Sequence, residues 1–122
     1  MEHQSASDSS VEIRRRVTGK ELSSVTFVRD YVQIDFDGPK FNVLTPITVS
    51  SPGSVSVSGN QPFRNRLCDQ IGKMVADLTL HEGQFLVLGF TDGSSITFSL
   101  RDEDYPGPEA IVFSDREHFW IL

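Results

Sequence analysis

Thr18-Gly19-Lys20-Glu21-Leu22-Ser23-Ser24-Val25-Thr26-Phe27 aligns without a gap with Ile71-Gly72-Lys73-Met74-Val75-Ala76-Asp77-Leu78-Thr79-Leu80. One added residue later, Tyr31-Val32-Gln33-Ile34-Asp35-Phe36 aligns with Phe85-Leu86-Val87-Leu88-Gly89-Phe90. Each stretch runs into an Asp-Gly pair, Asp37-Gly38 and Asp92-Gly93, and each copy follows a short basic segment, Arg14 to Arg16 and Arg64 to Arg66. Self-similarity at a fixed offset marks a duplicated supersecondary unit. Two copies are too few for a solenoid. The pattern therefore predicts one pseudo-twofold domain, its units packed face to face or edge to edge and superposable over 18–46 and 71–100.

Within each unit the period is that of strands. Val32, Ile34 and Phe36 alternate with Tyr31, Gln33 and Asp35, and Ile96, Phe98 and Leu100 alternate with Ser95, Thr97 and Ser99. Such alternation gives one buried and one wet face. Asp-Gly between alternating runs predicts hairpins with a type I′ turn, in which both central residues take φ > 0. Val25, Ile34, Phe36, Leu78, Leu88, Phe90 and Phe98 are the expected core. Phe85 and Val87 are apolar on the face opposite Leu86, Leu88 and Phe90, so this strand is expected to be covered on both faces, by a helix of the same domain or by a second molecule.

Around these units the chain reads as an N-terminal tail (1–9), a single domain over 10–122 with units at about 10–58 and 60–100, and a C-terminal hairpin at about 110–122. Ser9 and Glu12 have capping-box spacing and predict a short helix through Val11, Ile13 and Val17, ended by Gly19. Val55 to Val57 is a short strand. Asn60 or Gln61 is expected to cap a second helix, with Pro62 in its first turn and Phe63, Leu67, Ile71 and Met74 at helical spacing up to Gly72. The fold class is mainly β (α+β): antiparallel β units with one or two short helices, closed by the C-terminal hairpin.

Composition narrows the function. A chain of 122 residues with nine Phe can bury one core,. No apolar run approaches the ~18–20 residues that span a bilayer. The opening residues have no basic or apolar signal region, and Cys68 is a single cysteine, so a soluble cytoplasmic protein is expected,. The net charge of −6 is unevenly spread. Residues 1–73 hold nine basic and eight acidic residues, a balance of +1, and residues 74–122 hold two and nine, a balance of −7. That distribution disfavours nucleic acid and anionic membranes, which need a basic face, and suits a basic protein partner. Arg14, Arg15 and Arg16 read as a solvated helix face, with a nucleic-acid or phosphate patch as the other reading.

Catalytic motifs are missing: there is no Gly-rich phosphate loop, no Gly-x-Ser-x-Gly, no His-Glu-x-x-His and no Cys-x-x-Cys,. His81 and His118 read as solvated side chains and Cys68 as a small buried hydrophobe. Asp102, Glu103 and Asp104 form the densest carboxylate cluster but lack the alternating ligand spacing and central Gly of a calcium loop. No enzyme activity, cofactor or metal is expected. The partner-binding candidates are Asp102, Glu103, Asp104, Tyr105, Glu109 and Trp120: carboxylates to steer a basic surface and aromatics to anchor it. Trp120 has core packing as its other reading.

The duplicated Gly-Lys unit, the strands ending at Phe36 and Phe90, the two Asp-Gly turns, Asp104-Tyr105, Gly107-Pro108-Glu109-Ala110 and the Trp120 strand together resemble a group of small bacterial domains of unknown function. The resemblance covers about residues 18–122, and Pro39 departs from it, standing where a polar residue is usual. That group is similar in size and organisation to immunity proteins that neutralise bacterial toxins. The resemblance implies a non-enzymatic binding protein of the immunity or inhibitor kind, its partner a basic protein such as a toxin, with homo-oligomerisation through the Phe85/Val87 face as a further expectation. The alternative is a small-molecule-binding β domain.

Overall fold

A computed structural model of the chain describes residues 6–59 and 62–122. The elements run α1 (Ala6–Val17), β1 (Ser24–Phe27), β2 (Val32–Asp35), β3 (Lys40–Val43), β4 (Ile47–Ser51), β5 (Ser54–Val57), α2 (Phe63–Cys68), β6 (Val75–His81), β7 (Phe85–Phe90), β8 (Ser95–Ser99), β9 (Ile111–Asp115) and β10 (His118–Ile121). All strand pairs are antiparallel and form two five-stranded sheets, ordered β1-β2-β3-β9-β10 and β5-β4-β8-β7-β6. The class is α+β and mainly β, as the alternating pattern predicts, and the C-terminal hairpin is present.

Each sheet mixes the two halves of the chain. The meander β1-β2-β3 is extended by the hairpin β9-β10, and the meander β8-β7-β6 is extended by β4-β5. The pairing registers carry an unbroken row across the first sheet: Val25, Ile34, Phe41, Phe113 and Trp120. On the second sheet Val49, Ile96, Leu88 and Leu78 form the matching row. These rows face each other across one core, with the Phe41 ring 5.3 Å from Phe98 and 4.7 Å from Phe113. Of the seven expected core residues six are buried, and Val25, on the edge strand β1, is half-buried.

The helices correct the sequence reading in four places. α1 takes in Ser9 as an interior residue, so Ser9 is not its cap. Glu12 has a better partner than a free backbone N–H, because Arg15 lies 2.8 Å away and Arg16 3.5 Å away on the same helix,. α2 stops at Cys68, and Ile71 and Met74 leave the helical face to stand 44% and 41% exposed. Met74 is instead drawn into an antiparallel bridge with Glu21. Cys68, expected inside, is exposed, because the short α2 buries only Phe63 and Leu67. Pro62, expected in the first turn, holds the N-cap position of α2 instead; the expected caps Asn60 and Gln61 lie outside the described residues, as do residues 1–5 of the expected tail.

The turns differ as well. Asp37 and Gly38 both take positive φ, +60° and +130°, as a two-residue hairpin turn requires,. In the second unit only Gly93 does, at +90°. There Asp92 keeps negative φ and accepts the backbone N–H of Ser94 (2.9 Å). The extra residue Thr91 makes a longer loop, so the second turn is not of the two-residue type expected. Gly19 and Gly72, φ +83° and +95°, release the chain after α1 and after the α2 region into facing segments,.

Candidate protein-binding surface

Three of the four acidic candidates sit on a single 3-10 turn, Asp102–Asp104, that follows β8. Its position is fixed from both sides. Leu100, 4% exposed, is anchored in the core, and its N–H donates to the carbonyl of Gln84 (2.9 Å). The Asp104 N–H then donates to the carbonyl of Arg101 (2.9 Å), and the Ser99 hydroxyl donates to the Asp104 carboxylate. Asp104 is thereby half-buried and committed, while Asp102 and Glu103 project exposed. Tyr105 packs against the core cluster, and its phenol is pushed above the usual tyrosine range by burial, with the Asp102 charge adding to the effect,.

This turn overhangs the outer face of the second sheet. In register, Thr48, Thr97, Val87 and Thr79 form one row of that face, and Ser99, Phe85 and His81 form the next. Val57 stands opposite Thr48 on β5. Glu103, Asp104, Arg101, Phe85, Thr97, Ser99, Thr48, Val57, Pro46 and Gln84 enclose an open cleft of about 410 Å³. Phe85 and Val87 remain half-buried. The His81 ring lies over Phe85 at 4.5 Å, and neither helix has its main packing against β7. Of the two covers expected for this face, a helix of the same domain or a second molecule, the helix is not what packs there.

The structure brings Glu103 and Asp104 together with Phe85, two features that are eighteen or more positions apart in the chain. It does not bring Trp120 to them. Trp120 lies on β10 of the other sheet at 9% exposure, 5.5 Å from the Phe113 ring and beneath the Arg16 guanidinium (4.7 Å). Its placement is that of a core residue. Glu109 is half-buried and leads into Ala110, whose backbone bonds Leu122 (3.1 Å) and Leu44 (2.8 Å) on the side of the first sheet. Thr48 belongs to the cleft through the β4–β8 pairing, which leaves no local trace in the sequence, and Val57 follows it as its partner on β5.

No group of three or more His, Cys, Asp or Glu among the described residues is placed to hold a metal ion, and no helix there is long and apolar enough to cross a membrane. Comparison with protein-family models, with curated proteins and with solved structures finds no match to this chain.

Proposed function

We propose that this chain is a non-enzymatic binding protein of the immunity or inhibitor kind, which occludes a basic protein partner with its acidic turn and the adjoining face of the second sheet. The observation that carries the reading is the shared cleft of Glu103, Asp104 and Phe85. Carboxylates at a rim speed the encounter with a cationic surface, and an aromatic ring beside them supplies apolar contact once water is displaced. A lysine or arginine of the partner fits such a cleft best, its stem against Phe85 and Val57 and its charge toward Glu103. Asp102, exposed beside Glu103 on the same turn, extends the rim, and Tyr105 and Trp120 support the scaffold from within.

The same reading takes the two halves as copies of one β unit, since the strand order β1-β2-β3-β9-β10 corresponds element by element to β6-β7-β8-β4-β5. A cytoplasmic location goes with it.

The test compares proteins retained from a lysate of the native cells by the wild-type chain and by a D102K/E103K double variant. A basic protein held by the wild type and lost from the variant, with association that slows as salt is raised, supports the reading. Equal retention by both overturns it.

A further inference from the structure

Three segments far apart in the sequence meet at a second cleft, of about 500 Å³: the end of α1 with Arg15, Arg16 and Lys20, the β2–β3 turn at Gly38, and the β9–β10 turn with Arg116 and His118. Its lining holds four Arg/Lys side chains against two carboxylates, Asp37 and Asp115, in a chain whose net charge is −6. Arg16 is part of the frame. Its guanidinium bonds Asp115 (2.8 Å) and Glu12 (3.5 Å) and lies over Trp120. Arg15 is shared with Glu12 (2.8 Å). Among the described residues no ion pair or side-chain hydrogen bond engages Lys20 or Arg116.

The second half of the chain shows what a lysine at this place does when it has only a structural task. Lys73, the counterpart of Lys20 in the aligned Gly-Lys pair, lies 2.8 Å from Asp92 and 3.2 Å from the Ser94 hydroxyl. In the first half the residue after Asp-Gly is Pro39, which offers no hydroxyl, and Lys20 makes no such pair with Asp37. Arg116 is the second cation of this cleft with no such partner among the described residues, and it occupies the first position of a two-residue turn with φ +59°, a region that favours glycine,. A charged side chain thus stands at a backbone conformation that works against it, beside the cleft that Lys20 also lines.

We propose that this cleft binds a phosphate monoester, its phosphate on Lys20 and Arg116 and the rest of the molecule in the space bounded by Gly38 and His118. Two unpaired cations converging on one open space favour a compact dianion. The volume lies within the ~300–1,000 Å³ range of small-molecule sites and exceeds what phosphate alone fills. A small ligand answers to the local charge, because fields are screened beyond about 8 Å at physiological salt. A polyanion such as nucleic acid would also meet the negative remainder of the surface.

The test is a two-dimensional NMR titration of the full chain at physiological ionic strength with ribose 5-phosphate, with inorganic phosphate and with acetate. Shifts concentrated at Gly38, Arg116 and His118, with the monoester binding more tightly than phosphate and acetate far more weakly, are the expected result. Equal affinity for monoester and inorganic phosphate assigns the site to free phosphate. R116G and K20A should each weaken binding by about tenfold or more, the weight of one hydrogen bond to a charged group, and R116G relieves the turn, so its folding is not in question. Scattered or absent shifts, equal response to acetate, or unchanged binding by R116G overturns the proposal.

Discussion

Glu21 and Met74 form an isolated antiparallel bridge between the two halves of the chain. It is flanked by reciprocal backbone bonds, Gly19 N–H to Val75 (2.9 Å) and Gly72 N–H to Leu22 (2.8 Å), then Leu22 N–H to Lys73 (3.0 Å) and Val75 N–H to Lys20 (2.9 Å). Under the alignment of the two Gly-Lys segments these bonds are equivalent in pairs. The segment after each glycine is therefore held by the other half, and each sheet is completed by a hairpin from the other half.

Fragments 6–59 and 62–122 should accordingly not fold alone. Separated, Phe41 loses both Phe98 and Phe113, and the β3 and β8 edges lose their partners. Circular dichroism should show each fragment without a cooperative melt, and mixing the two should restore one. A cooperative melt from either fragment by itself contradicts this account.

At the junction of the sheets, Phe98→Ala should cost about 3–5 kcal/mol, the range for a fully buried phenylalanine,. Phe119→Ala, at a position 69% exposed on β10, should stay within about 0.5 kcal/mol,. Chemical denaturation of both variants measures the contrast, and similar losses would place Phe98 outside the core.

The Lys73–Asp92 pair sets a pH dependence. The Asp92 carboxyl is held well below the usual carboxylate range by the hydrogen bond from the Lys73 ammonium, then by bonds from the Ser94 hydroxyl and N–H. A carboxyl with a depressed folded-state pKa adds stability above its unfolded value, about 3.9, and loses that stability as pH falls through the folded value. Asp92→Asn should therefore melt below the wild type at pH 7, with the gap closing in acid. The Asp92 side chain is 49% exposed, so added salt should narrow the gap too,. A gap independent of pH would assign the effect to the turn backbone instead.

The three acidic residues of the 3-10 turn should separate by stability. Asp102→Lys and Glu103→Lys, both exposed, should change it by less than about 0.5 kcal/mol,. Asp104→Lys removes the acceptor of the Ser99 hydroxyl and should cost about 1–3 kcal/mol,. Thermal melts of the single variants decide this. Equal effects at all three positions would mean that the Ser99 bond does not hold the turn.

Much of the architecture was legible along the chain because strand burial has a period of two, which residues such as Ile34, Phe36, Ile96 and Phe98 display locally. The Asp37-Gly38 turn and the closing hairpin were legible for the same reason: their chemistry lies within a few residues. Helical spacing misled at Ile71 and Met74, since a period cannot report that a facing segment at Glu21 competes for the backbone.

Sequence alone determined that this chain is mainly β, with a repeated Gly-Lys unit, an acidic C-terminal half and a phenylalanine-rich core. Only the tertiary structure decided which hairpin completes which sheet, and therefore which side chains share a surface. Phe85 and Glu103 line one cleft, and Lys20 and Arg116 another, through strand pairings between distant segments. Such pairing is carried by backbone hydrogen bonds common to every sequence and by side chains interlocking across a core. Neither leaves a pattern within the segment that carries it.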